Sequence, residues 1–159
     1  MLIRPIQKSD TPFIKQILQT DLKAAKLDIP GTAYFDTNLD TLDQYYTGNS
    51  NRGYYVVDDN GTILGGAGFG EFDLNNKVAE LQKLYLSEAG RGHGLSYKLI
   101  DLIKDKAKDA GYSKLYLETH HNLTAALHIY SKAGFTRLNG PIKSSDHSNV
   151  MDGFYIMDL

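Results

Sequence analysis

Gly90, Gly92 and Gly94 stand at every second position in "LYLSEAGRGHGLSYKLI", where an alternating pattern gives way to a helical repeat. The chemistry open to such a junction is anion binding. The first turn of a helix leaves about four backbone N–H groups unpaired and carries roughly half a positive charge. Phosphate oxygens satisfy both when no side chain blocks the approach, and glycines clear it. Arg91 adds a planar donor suited to phosphate. A plain solvent turn has the same composition, so glycine alone does not decide. The Walker pattern requires Lys and Ser/Thr after its last glycine, and this chain has Leu95-Ser96. The dinucleotide fingerprint requires a further glycine where Leu95 and Tyr97 stand. Glu118, at the end of the next strand, keeps a ribose contact open. Against it, the loop follows a run of antiparallel-looking strands instead of opening a βαβ unit.

The elements that must position this loop follow from periodicity. Leu2 to Ile6 reads as a short strand. Ser9-Asp10 before Pro12 starts a helix whose apolar stripe is Phe13, Ile14, Ile17, Leu18, Leu22 and Ala25. Leu39, Leu42 and Tyr46 share helical spacing in a second, short helix. "GYYVV" and "TILGGAGF" flank Asn60-Gly61, a strong hairpin signal. "VAELQKLYL" is a third long strand, reached through Asn75-Asn76. The helix from Leu95 is expected to bury Leu95, Leu99, Leu102, Ile103 and Ala107, with Gly111 ending it. Strand "KLYLE", a helix to Ala133 stopped by Gly134, and strands "FTRL" and "GFYIMDL" complete the chain. Hairpins followed by βαβαβ make a mixed α/β sheet.

The totals narrow the function classes. A chain of 159 residues with 42% hydrophobic and 23% charged residues fits one globular domain, 1–159. With no cysteine, thiolate metal sites, disulfides and Cys nucleophiles are out, and no metal is expected. A formal net charge of −2 argues against a general nucleic-acid binder. No window approaches a membrane span and the N-terminus lacks a signal-peptide run, so the cytoplasm is the expected address.

Two spaced blocks carry a resemblance. "ELQKLYLSEAGRGHGLS" followed by "LYLETHHNLTAALHIYSKAGF" resembles the GNAT N-acetyltransferase superfamily. The family's loop, Q/R-x-x-G-x-G/A, matches Arg91-Gly92-His93-Gly94-Leu95-Ser96, with serine departing from the last position. Its Y-x-K-x-G-F block matches Tyr130-Ser131-Lys132-Ala133-Gly134-Phe135. The order of elements agrees over essentially the whole chain. The resemblance implies a mostly antiparallel central sheet of about seven strands flanked by about four helices. It also implies acetyl-CoA as co-substrate and a small-molecule or peptide amine as acceptor. Neither nucleic acid nor membrane is implied as a partner, and a homodimer stays open. A non-catalytic acyl-CoA-binding regulatory module is the alternative from another class.

The roles below are those the resemblance implies. The pyrophosphate would lie on the loop from Arg91 to Ser96, and the pantetheine arm along the backbone of Leu84, Tyr85 and Leu86. An unpaired strand edge offers the donors and acceptors that two amides need. An alkylammonium of pKa about 10 must lose a proton before it attacks, and Glu80 is the expected base, directly or through water. Glu71, Asp73 and His147 are further candidates for the same cleft. Tyr130 is the expected proton donor to the departing thiolate. Asn122 stands one residue before the family's asparagine position, here Leu123, and either bonds pantetheine or caps its helix. Lys132 either reaches the nucleotide phosphates or faces solvent. Tyr34, Phe35 and Asp36 are expected in the acceptor wall.

Overall fold

All 159 residues are described by a computed structural model. Seven strands form one sheet in the order β1-β2-β3-β4-β5-β7-β6. They are β1 (Leu2–Pro5), β2 (Gly53–Asp59), β3 (Thr62–Asp73), β4 (Val78–Leu86), β5 (Lys114–Thr119), β6 (Thr136–Leu138) and β7 (Gly153–Asp158). Every neighbouring pair is antiparallel except β4 and β5. Four helices cover the faces: α1 (Thr11–Ala24), α2 (Leu42–Tyr46), α3 (Leu95–Asp109) and α4 (Thr124–Lys132).

The two faces have separate cores. Ile14, Leu18 and Leu22 of α1 and Leu42 and Tyr46 of α2 pack on Tyr54 and Val56. On the other face, Leu95, Leu99, Ile100, Ile103 and Ala107 of α3 and Tyr130 of α4 pack on Val57, Ala67, Phe69, Ala79, Leu81 and Leu115. Ile100 takes the core position expected for Leu102, which is only half-buried. The α3 stripe is thus turned by part of a step. In α1, Phe13 is exposed and Ile17 half-buried, so the expected stripe is wider than its core contact. The β2–β3 hairpin turns at Asn60 (φ 50°) and Gly61 (φ 93°), both left-handed as a two-residue I′ turn requires.

Two irregularities in β4 shape the functional region. First, β4 and β5 pair only from Val78 to Glu80, against Lys114 to Tyr116. Beyond Glu80 the two strands part. β4 runs on to Leu86 bonded to β3 alone, and β5 runs on to Thr119 bonded to β7 alone. Second, the ladder passes from Gly68↔Gln82 to Gly66↔Tyr85, so Lys83 and Leu84 together oppose Ala67. That is a bulge, and Lys83 carries its positive φ of 51°. Glycines in β3 make room beside it. A Cβ on Gly68 would meet the Tyr54 ring at 2.6 Å and the Tyr46 ring at 3.2 Å. With no side chain there, both tyrosines lie close on the strand and reach β4 with their hydroxyls.

Candidate active site

The opening between β4 and β5 widens into a cleft of about 1380 Å³. That exceeds the ~300–1,000 Å³ usual for one small ligand. Its lining runs from the start of α3, past the open stretch of β4, to the loop before β7.

Glu80 sits where the two strands part. Alternation along β4 sends Ala79 and Leu81 into the α3 core and Glu80 and Gln82 to the other face. Gln82 Nε2 donates to Glu80 Oε1 at 2.9 Å, and the Tyr46 hydroxyl donates to Gln82 Oε1 at 2.7 Å. Because Tyr46 donates to the amide oxygen, the amide nitrogen must face Glu80. Burial pushes the Glu80 carboxyl up to about 7. The Gln82 hydrogen bond pulls it down and the Glu118 charge pushes it up. Proton exchange on Glu80 is thereby brought toward neutral pH, where a general base works most effectively.

The bulge sends Lys83 to the same face, where strict alternation would have placed it with Leu81 in the core. Its ammonium reaches Asp36 Oδ2 at 2.6 Å, and His147 Nε2 bonds Asp36 Oδ1 at 2.8 Å. Burial opposes the Asp36 charge, but His147 and Lys83 outweigh it and hold the carboxyl below its ordinary range. The hydrogen bond to Asp36 raises His147 against an opposing burial effect. The Tyr54 hydroxyl donates to the Lys83 carbonyl at 2.8 Å, fixing the bulge from the α1 side.

At the mouth, Gly94 caps α3 in the left-handed region, φ 70°, and Gly92 has φ 79°. A Cβ on either would meet nothing within 4 Å, so the first turn of α3 opens onto free space. Leu95 is buried beneath that turn, leaving its backbone to face outward, and Ser96 is half-buried on the cleft wall. His93 is exposed. Arg91 also lines the cleft, and its guanidinium is paired with Asp21 of α1. Ser87 Oγ and Thr119 Oγ1, on opposite walls of the opening, are buried without a hydrogen-bond partner. A glycine-cleared helix start, an open strand edge and two orphaned hydroxyls fit a long ligand with phosphate at one end and amides beyond it.

Tyr130 is buried on α4, faces the cleft and packs against Phe135 and Tyr155 with centroids 5.9 Å away. Burial pushes its phenol above the ordinary value, so it stays protonated.

Several expected positions are placed differently. Tyr34 lies outside the cleft lining, packing beside α1, where its carbonyl accepts from Gln19; Phe35 and Asp36 do line the cleft. In the 3-10 turn Ala33–Phe35 the two rings pack together, centroids 5.0 Å apart, and only Phe35 reaches the cleft wall. Lys132 is exposed and outside the cleft wall. Asn122 is not the cap of α4, a position held by Leu123; its amide donates to the Ala25 carbonyl at the end of α1. Glu71 lines the cleft but is paired with Arg52. Asp73 is used by the turn, accepting from Asn76. Tyr46, Gln82, Lys83 and Ser145 did not stand out from the sequence as site residues. The one signal was a lysine in the core phase of an apolar strand.

The Acetyltransferase (GNAT) family model matches residues 14–135, which spans both the glycine loop and Tyr130. The chain belongs to the GNAT acetyltransferase family. It is 30% identical over 148 residues to the uncharacterized N-acetyltransferase YjgM of Escherichia coli K12, covering 92% of this chain and 88% of that one. Among the solved structures that share the fold are two acetyltransferases. A GNAT-family acetyltransferase from Staphylococcus aureus Mu50 superimposes with a TM-score of 0.84 at 21% identity, covering 99% and 98% of the two chains. A putative acetyltransferase, yncA, from Salmonella typhimurium, with its cofactor acetyl-CoA, gives 0.75 at 22% identity, covering 99% and 93%. This GNAT chain is thus an acetyltransferase, and its sheet is the family's. None of its helices is long and apolar enough to cross a membrane.

Proposed function

We propose that the protein transfers the acetyl group of acetyl-CoA to a primary amine of a small molecule or peptide, by direct attack in a ternary complex. The observation that carries this reading is Glu80 at the point where β4 leaves β5, in one cleft with the cradle at the start of α3. Acetyl-CoA supplies the acetyl group on a thioester. The new N–C bond forms as the C–S bond breaks, and the ammonium gives up two protons, one of which ends on sulfur.

The residues divide that work. The N–H groups from Gly92 to Ser96 bind the pyrophosphate, and the open backbone of Leu84, Tyr85 and Leu86 aligns the pantetheine amides. Arg91 shares its donors between Asp21 and phosphate. Glu80 takes the ammonium proton, through the oxygen that Gln82 leaves free or through a water on it. Tyr130 stays protonated and offers its O–H to sulfur. A phenol above its ordinary pKa gives a proton outright to a thiolate (thiol pKa ~8.5) only uphill. Its main help is therefore the hydrogen bond.

Measuring CoA release across a panel of amines tests the reading. Glu80→Gln should lower the rate about 10²-fold or more near pH 7, within the usual range for a general base. The loss should shrink as pH rises and free amine becomes abundant. Tight acetyl-CoA binding with no turnover across the panel would leave a binding module instead.

A further inference from the structure

Two carboxylates at the acceptor end of the cleft stand outside its ion pairs. Asp36 is neutralised by Lys83 and His147, and Glu71 by Arg52. Glu80 and Glu118 have no ion pair. Lys143, the other lysine on this wall, is exposed and sits over the Phe72 ring at 5.4 Å.

Glu118 is nonetheless firmly oriented. The Tyr116 hydroxyl donates to one of its oxygens at 2.7 Å and the Ser145 hydroxyl to the other at 2.6 Å. Neutral donors on both oxygens hold the carboxylate in place and leave its charge unanswered. Its position relative to Glu80 follows from the ladder. Glu80 stands opposite Tyr116, and Glu118 lies two residues further along the same face of β5. With strands ~4.8 Å apart at the last pair and a two-residue rise of ~6.6 Å, the two backbone positions are at least roughly 8 Å apart, because the strands diverge beyond Glu80. Phe72 and Met151 add apolar wall to the same cleft, and the Phe72 ring packs on Tyr116 at 4.5 Å. Two carboxylates with apolar surface close by match two cationic groups joined by methylenes.

We propose that the acceptor is a diamine, held by a second cationic group on Glu118 while its reacting amine meets Glu80. This rests on the acetyl-transfer reading and adds the substrate class. Specificity then comes from distance. A linker that spans the two carboxylates is favoured, and an amine with a carboxylate at its far end is repelled by Glu118.

The test is kcat/KM for CoA release with matched acceptors: linear α,ω-diamines of increasing length, the corresponding monoamines, and ω-amino acids. Diamines of fitting length should exceed the monoamines by about tenfold or more, the scale of one charge-assisted hydrogen bond, chiefly through KM. The ω-amino acids should be the poorest. Glu118→Gln should collapse the diamine-to-monoamine ratio toward one. Monoamines turned over as well as diamines, preference for the ω-amino acids, or a ratio preserved in Glu118→Gln would each overturn the proposal while leaving acetyl transfer standing. Bound acetyl-CoA with no turnover of any amine would overturn both. The wild-type comparison alone decides the matter if the variant does not fold.

Discussion

Glu80 shows how one side chain's chemistry is set by its neighbours. Burial raises its proton affinity, and the Gln82 amide holds it back from rising further. That restraint depends on Tyr46, since its hydroxyl fixes which end of the amide faces Glu80. Tyr46→Phe keeps the ring packed on Tyr54, 5.1 Å away, but frees the amide to turn its oxygen toward the carboxylate. An acceptor in place of a donor favours the protonated acid. A hydrogen bond to a charged group is worth about 1.5–3 kcal/mol, and 1.36 kcal/mol moves a pKa by one. The acid limb of the pH–rate profile should therefore move up by about one to two pH units, with acetyl-CoA affinity unchanged by calorimetry. A loss equal at every pH would assign Tyr46 to packing alone.

At the scale of elements, α3 brings a dipole and a bare first turn to the mouth of the cleft, and both of its ends use a left-handed glycine. Gly94 (φ 70°) opens it and Gly111 (φ 98°) follows its last turn, each with free space where a Cβ would go. This pairing separates backbone strain from ligand clearance. An alanine at either site costs about 1–2 kcal/mol in the left-handed region. Gly94→Ala and Gly111→Ala should thus lower stability alike in denaturant titrations. Only Gly94→Ala should also weaken acetyl-CoA binding, because its methyl projects where phosphate approaches. Equal affinities in the two variants would reduce the loop to a turn. The β4 bulge does comparable positioning on the strand side. By admitting one extra residue it puts Gln82 and Lys83 on the same face in succession, which a regular strand forbids.

Over the whole molecule, the sequence made legible what short-range rules govern. Asn60-Gly61 marked its hairpin, Gly111 and Gly134 their helix ends, and the two motif blocks the glycine loop and Tyr130. Long-range geometry was illegible. Nothing local announces that β4 and β5 separate after Glu80, that Gly68 clears room for Tyr46, or that Asp36 reaches the cleft while Tyr34 stays outside its lining. Asp36 matters most to assembly, because it ties its own loop to β4 through Lys83 and to the loop before β7 through His147. The His147 part of that tie depends on pH. His147 is raised in the folded protein, so its contribution is complete below the unfolded value of about 6.5 and fades as pH rises through the folded value. Asp36 is lowered, so its contribution is complete above about 3.9 and fades as pH falls through the folded value. The window of full effect is about pH 4–6.5. His147→Gln keeps a hydrogen-bonding group and removes the charge. Wild type should melt above this variant by about 1–4 °C near pH 5.5, from a few tenths to ~1 kcal/mol in a domain of this size. The gap should narrow by pH 8.5, where Lys83 is the remaining cation on Asp36. A gap independent of pH would mean that His147 contributes shape and not charge.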